Sequence, residues 1–193
     1  FDPFHNGHLM MLNAISQQLN VDYIHIVPNY NSPGKEKATL SDIQRLTCIK
    51  AIAEVFSKRV SNKIKILCAD YELKNKKTNY TIDTICFLKK QYPNSNWILL
   101  IGSDNFFKFH TWKQYKDILN YATLFVVKRD SRSIKMYTDY ADTYFANTFH
   151  PGIIVLDNDP ITISSTNIRE KIDKKVSVET WVPAIIRQEL NIK

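Results

Sequence analysis

The segment Trp97–Gly102, WILLIG, constrains the fold more than any other stretch of the chain. It carries no charged side chain and ends in glycine, and it is far too short to cross a bilayer. A run of this kind reads as a strand buried on both faces of a parallel sheet. Such a strand needs helices above and below it, and the flanking sequence provides them. GHLMMLNAISQQL places Leu9, Leu12, Ile15 and Leu19 on one helical face, and YIHIVPN follows as a short strand stopped by Pro28. Residues 29–40 have turn composition. Ser41 then opens a helix through the capping box SDIQ, with Gln44 in the fourth place and Ile43, Leu46, Ile49 and Ile52 recurring behind it.

The alternation continues to the end of the chain. IKILCA reads as a strand, and NYTIDTICFLKKQ reads as a helix that stops at Tyr92-Pro93. Beyond WILLIG, residues 104–119 are helical with a break near FHTW; ATLFVVKR and GIIVLDN are strands, and VPAIIRQEL is a closing amphipathic helix. Strands alternating with helices imply right-handed crossovers and an α/β, doubly wound parallel sheet with helices on both faces, built as a single domain over residues 1–193. Ligands bind such sheets beyond the carboxyl ends of the strands. PNYNSPGK, ADYELKNK, GSDNFF and KRDSRS all follow strands, so they are the segments expected to face the ligand. One feature is out of order, because the chain begins on a loop rather than on the strand that should precede it.

Composition narrows the chemistry. With 44% hydrophobic and 23% charged residues this is an ordinary globular protein, and no charged head followed by an apolar segment opens it. Cys48, Cys68 and Cys86 stand twenty and eighteen residues apart, which is no zinc spacing; they read as buried thiols in a reducing, cytoplasmic compartment. The net charge of +7 is spread along the chain, which suits small polyphosphates better than nucleic acid. Neither GxxxxGK[ST] nor GxGxxG occurs.

Three constellations remain. In FDPFHNGH, His5 and His8 flank a helix start with Gly7 between them, beside backbone N–H groups and the positive end of a helix dipole. They suit an anion; the alternatives are a metal site, for which no third His or Cys lies nearby, and a structural cap. In ISSTNIRE, Ser164, Ser165 and Thr166 lead into a short helix with Arg169 one turn inside, which makes either a second anion cradle or an ordinary capped helix. In IGSDNFFKFHTW, Gly102 allows close backbone approach, Asp104 can take a ribose or a cation, and Trp112 offers a stacking face, while Phe106, Phe107 and Phe109 read as core. Two phosphate cradles and a stacking platform point to an enzyme that handles nucleotides and stabilises charge on phosphorus under direct attack.

FDPFHNGH resembles the GxFDPxHxGH signature of the HxGH nucleotidyltransferases, and ISSTNIR resembles their ISSTxIR signature. With IGSDNFFKFHTWKQYKDIL and NYTIDTICFL between them, the whole chain is similar to the bacterial nicotinate-mononucleotide adenylyltransferases. The resemblance implies a Rossmann-like nucleotidyltransferase fold and the joining of ATP to nicotinate mononucleotide with release of pyrophosphate, a step of NAD biosynthesis. It implies that His5 and His8 contact the ATP phosphates. Thr166 and Arg169, with Ser164 and Ser165, would hold the leaving pyrophosphate. Asp2, Gly7, Ile101, Gly102 and Asp104 would shape the ATP site. Tyr80 and Thr81 would present backbone groups to the pyridine carboxylate, with Trp112 stacked on the ring. Mg²⁺ would accompany the triphosphate with few protein ligands.

Two places depart from the pattern. A PPHK-like stretch is replaced by SPGK, so Gly34 stands at the histidine place and the mononucleotide phosphate is expected to lean on Lys35. Asn79 stands where the family commonly has Ser before the aromatic-threonine pair. The pattern also places a strand and a Gly-x pair before Phe1, so an upstream extension of about 5–10 residues is expected on strand-length grounds. Other readings are a sibling adenylyltransferase for nicotinamide mononucleotide or phosphopantetheine, and a non-catalytic nucleotide-binding protein. Monomer and homodimer are both compatible with the sequence, and neither nucleic acid nor membrane is expected as a partner.

Overall fold

Parallel strands, each followed by helix, carry the chain, as an alternating pattern of short apolar and amphipathic segments dictates. The structure is a computed structural model, and it describes residues 1–31, 33, 37–60, 64–146 and 152–192. These residues group into two compact units, Phe1–Asn79 with Ile163–Lys193, and Tyr80–Thr162.

The first unit holds β1 (Tyr23–Ile26) and β2 (Lys65–Cys68), paired in parallel with Ile24 opposite Ile66 and Ile26 opposite Cys68. Its helices are α1 (Asn6–Gln18), α2 (Asp42–Arg59), the short α3 (Tyr71–Asn75), α8 (Ser165–Asp173) and α9 (Ala184–Leu190). Helix α2 starts where the capping box places it: the Gln44 N–H donates to Ser41 Oγ at 3.2 Å and the Ser41 N–H to Gln44 Oε1 at 3.0 Å. It packs against β2 and α9, burying Ile49, Ile52 and Phe56. One charged residue of α2 is also buried. Arg45 is 2% exposed and donates to the Asn29 carbonyl and the Asp42 carboxylate, both at 2.6 Å, so it ties the end of the 23–29 segment to the helix.

The second unit holds β3 (Trp97–Gly102), β4 (Ala122–Val127) and β5 (Ile153–Leu156), all parallel in the order β3-β4-β5. Around them run α4 (Thr81–Gln91), α5 (Ser103–Phe106), a 3₁₀ turn (Phe109–Thr111), α6 (Tyr115–Tyr121) and α7 (Ile134–Phe145). The most buried strand is β4 rather than WILLIG. Leu124–Val127 are at most 1% exposed, whereas Trp97–Leu100 are half-buried and only Ile101 and Gly102 close over. The reason is position, since β4 has a strand on either side in this sheet. The break expected near FHTW is present as the 3₁₀ turn.

Two helices escape the sequence reading, α3 and α7. Helix α7 is amphipathic through tyrosine rather than aliphatic residues. Tyr137 and Phe145 are fully buried, and Tyr137 lies 5.6 Å from the Phe106 ring at 20°. The cysteines are less buried than expected. All three are free thiols; Cys48 is buried, and that burial first, with the Glu189 charge second, pushes its thiol up to about 11, whereas Cys68 and Cys86 are half-buried. No helix among the described residues is long and apolar enough to cross a membrane.

Leu124→Ala should destabilise the protein by about 3 kcal/mol in chemical denaturation, as for a cavity in a fully packed site. Ile154→Ala on β5, where 40% of the side chain's residue surface is exposed, should cost less than about 1 kcal/mol. Equal effects would mean that β4 is not the centre of the packing.

Candidate functional site

In the first unit the opening loop and α8 are built onto each other. His5 is the N-cap of α1, one residue before the helix starts at Asn6, and His8 occupies its third position. The two residues form a reciprocal capping box, with the His5 ring against the His8 N–H and the His5 N–H donating to His8 Nδ1 at 3.2 Å. Because Nδ1 of His8 accepts, the proton of its neutral ring sits on Nε2. The rings stack 3.7 Å apart at 23°, with Phe1 edge-on to His8 at 4.7 Å and Phe4 at 5.1 Å. His5 is 2% exposed and Gly7 is buried, while His8 is half-buried. The side chain of Asn6 anchors the far side of the turn by donating to the Thr180 carbonyl at 2.9 Å.

Helix α8 lies against this loop through two of the residues singled out in the sequence, Ser165 and Arg169. Ser165 Oγ donates to the Pro3 carbonyl at 3.2 Å, and Arg169 Nη1 donates to the Asp2 carbonyl at 2.8 Å. Arg169 Nη2 donates to Thr166 Oγ1 at 3.3 Å, and Ser164 caps the helix by accepting the Asn167 N–H at 3.2 Å. Ser165 and Thr166 therefore sit in the first turn, where backbone N–H groups have no intrahelical partner and the dipole is positive. The Asp2 carboxylate accepts the Thr39 and Leu40 N–H groups, both at 2.9 Å, and stands 3.4 Å from Arg169. Asp2, His5, Gly7, His8, Ser164, Ser165, Thr166 and Arg169 are thus one cluster. It combines imidazole, hydroxyl, guanidinium and helix N-terminus, all suited to anionic oxygen. Lys35 and Gly34 lie outside the described residues.

The second unit gathers the remaining candidates at two places. At the end of β3, a Cβ on Gly102 would stand 2.5 Å from Arg129 Cδ and 2.6 Å from Asp104 Oδ1, so any larger residue would push these two side chains aside. Arg129 crosses that glycine to meet Asp104 at 3.3 Å. Beneath them Ser103, fully buried, donates to Asp130 Oδ2 at 2.8 Å and accepts the Arg129 N–H at 3.1 Å. Asp130 also accepts from Tyr137 at 3.2 Å and from both the backbone and the guanidinium of Arg132. Burial alone would raise the Asp130 carboxyl, but hydrogen bonds from Ser103, the Arg132 N–H and Tyr137, with the Arg132 charge, hold it below the usual carboxylate range.

The other place is the start of α4. Tyr80 is the N-cap and contributes no capping side chain, and Thr81 opens the helix. Trp112 is half-buried, with its ring 5.1 Å from that of the fully buried Phe109. Its neighbour Lys113 lies 4.5 Å over the Tyr80 ring.

Sequence reasoning passed over Arg129, Ser103, Asp130 and Lys113. The first and third lie in KRDSRS, already marked as a loop at a strand's carboxyl end, but nothing there distinguishes one charge from the next. Among the described residues no group of three or more His, Cys, Asp and Glu side chains comes together as a metal cage.

The family model described as cytidylyltransferase-like matches residues 1–171, which places the chain among the nucleotidyltransferases. A relative named "Probable nicotinate-nucleotide adenylyltransferase" from Aquifex aeolicus is 35% identical over 145 residues, spanning 75% of this chain and 82% of its own. One of the same name from Leptospira interrogans is 35% identical, spanning 98% of this chain and 87% of its own. The solved nicotinic acid mononucleotide adenylyltransferase of Plasmodium falciparum, complexed with NaAD, superposes with a TM-score of 0.78 over 99% of this chain and 90% of that one, at 17% identity. The fold is therefore the Rossmann-like α/β fold of these enzymes. The chain belongs to the nicotinate-nucleotide adenylyltransferase family of HxGH nucleotidyltransferases.

Because its pKa is lowered on folding, Asp130 contributes stability that is complete above the ordinary carboxylate value of about 4 and is lost as pH falls through the lower folded value. Asp130→Asn should therefore cost about 1 kcal/mol or more at pH 7 and flatten the loss of stability below about pH 4. Thermal melts from pH 2 to 7 check this; an unchanged acid limb would remove the role assigned to the network.

Proposed function

We propose that the protein is an adenylyltransferase that joins ATP and nicotinate mononucleotide to give nicotinate adenine dinucleotide and pyrophosphate, a step of NAD biosynthesis. The observation that carries the reading is the single cluster of His5, His8, Ser165, Thr166 and Arg169, tied together through Asp2. Relatives bearing that name match nearly the whole chain and support the choice of substrates.

In this reading an oxygen of the mononucleotide phosphate attacks the α-phosphorus of ATP in line. A bond forms from that oxygen to phosphorus, and the bond from phosphorus to the oxygen leading to the β-phosphate breaks, so pyrophosphate leaves with the electron pair. Negative charge is spread over the phosphoryl oxygens at the transition state, and fixed donors stabilise it there without reorganisation. His8 supplies an Nε2–H donor whose tautomer is set by the α1 cap, and the stacked His5 ring holds it in place. The Arg169 fork and the first turn of α8 take the leaving phosphates. Gly102 and Asp104 take the ATP nucleoside, Tyr80 and Thr81 the pyridine carboxylate, Trp112 the pyridine face and Lys35 the mononucleotide phosphate. Mg²⁺ arrives as part of the ATP substrate. A hard cation that keeps most of its ligands as phosphate and water needs no carboxylate cage.

His8→Asn keeps an oxygen to accept the His5 N–H but loses the ring donor. Turnover should fall several hundred-fold, about 3–4 kcal/mol, with the melting temperature little changed. A loss below tenfold would sink the assignment to His8. Pyrophosphate release should be measured with ATP and nicotinate mononucleotide, nicotinamide mononucleotide or phosphopantetheine. Release with the first is expected, and release with none would overturn the proposed function.

A further inference from the structure

We infer that Lys113 is the charge that selects a pyridinium ring bearing an anionic carboxylate over one bearing a neutral carboxamide, an inference that rests on reading Tyr80, Thr81 and Trp112 as the site of that ring. The side chain leaves the segment directly after Trp112 and reaches the first turn of α4. Its Nζ stands 4.5 Å from the centre of the Tyr80 ring and 3.9 Å from Asp83 Oδ1, and Asp83 is the third residue of the helix. The lysine is therefore placed by two contacts to one turn, and the aromatic contact is attractive in its own right.

Neither contact occupies the ammonium fully. The carboxylate lies at the outer limit of an ion pair, and the two side chains are 46% and 45% exposed. A carboxylate brought to this turn can draw the ammonium away from Asp83 at small cost, since half-exposed pairs of this kind are worth little.

The chemistry that fits is specific. The half-buried indole of Trp112, packed on Phe109, offers a face for a flat ring. The first turn of α4, capped by no side chain of Tyr80, offers main-chain donors and a positive dipole. Those groups donate to a carboxylate or a carboxamide oxygen alike, so geometry alone discriminates weakly between the two. A mobile cation above the same turn interacts with net charge, which only the carboxylate carries, and specificity is the difference between the two interactions. Lys113 supplies that difference without a rigid bidentate contact.

The test compares kcat/KM for nicotinate and nicotinamide mononucleotide in the unsubstituted protein, Lys113→Gln, Lys113→Arg and Asp83→Asn, at low and high salt. The unsubstituted protein is expected to favour nicotinate, and Lys113→Gln to lower that preference about fivefold, through KM for nicotinate and not through kcat. Lys113→Arg should restore it, and Asp83→Asn should strengthen it by removing the competing acid. Added salt should weaken nicotinate binding in the unsubstituted protein and do so less in Lys113→Gln. An unchanged preference in Lys113→Gln, an equal loss on both substrates, or no preference in the unsubstituted protein would overturn the inference while leaving the adenylyltransferase reading intact. Turnover of neither mononucleotide would instead overturn that reading, and this inference with it.

Discussion

The Asp2 carboxylate holds three stretches of chain that are remote in sequence. It takes the Thr39 and Leu40 N–H groups on one side and faces the Arg169 guanidinium on the other, while its own carbonyl accepts from the same arginine. The opening loop is thereby fixed against α8 and against the approach to α2. His5 and His8 inherit their positions from that anchorage, because His5 caps the helix that begins three residues after Pro3. The local cap of α1 then stacks the two imidazoles at 3.7 Å. Order is passed along short covalent distances from one satisfied carboxylate.

The second unit uses the same device at the end of β3. Ser103 is buried, so its hydroxyl has to be satisfied internally, and Asp130 and the Arg129 N–H do so. That places the loop after β4 directly over the end of β3 and lets Arg129 lie flat across Gly102. Both units therefore fix a loop with a carboxylate that reaches at least one distant segment, Thr39, Leu40 and Arg169 for Asp2 and Ser103 for Asp130. In both, side chains that look like candidate ligand contacts also hold the local backbone together. Removing one is then never a purely chemical change, which is why a replacement that preserves the cap is more informative at His8 than alanine.

Much of this was legible from the residues. The alternation of strands and helices, the capping box at Ser41, the break near FHTW and the helix starts at Asn6 and Ser165 follow from spacing and local chemistry, which a single sequence records. What was not legible depended on contacts across long separations. WILLIG carries more apolar character than its burial uses, because burial is decided by strand order and β4 is the strand with neighbours on both sides. Helix α7 was missed because its buried face is made of Tyr137 and Phe145 among threonines and aspartates, so the aliphatic period is absent although the spacing is helical. Asp2 and Arg169 were each visible as candidates, yet their pairing, 167 residues apart, belongs to the fold alone.

The packing of Arg129 against Gly102 has a consequence for how this sequence can drift. A side chain added at 102 would displace two neighbours, since even a methyl group would stand 2.5 Å from the arginine stem and 2.6 Å from Asp104 Oδ1. Shortening residue 129 relieves only the first of these contacts, and the Asp104 carboxylate remains in the way. A new side chain at 102 therefore requires both flexible side chains to turn away, and so dissolves the Arg129–Asp104 pair. In a set of close homologues positions 102, 104 and 129 should therefore vary together rather than singly.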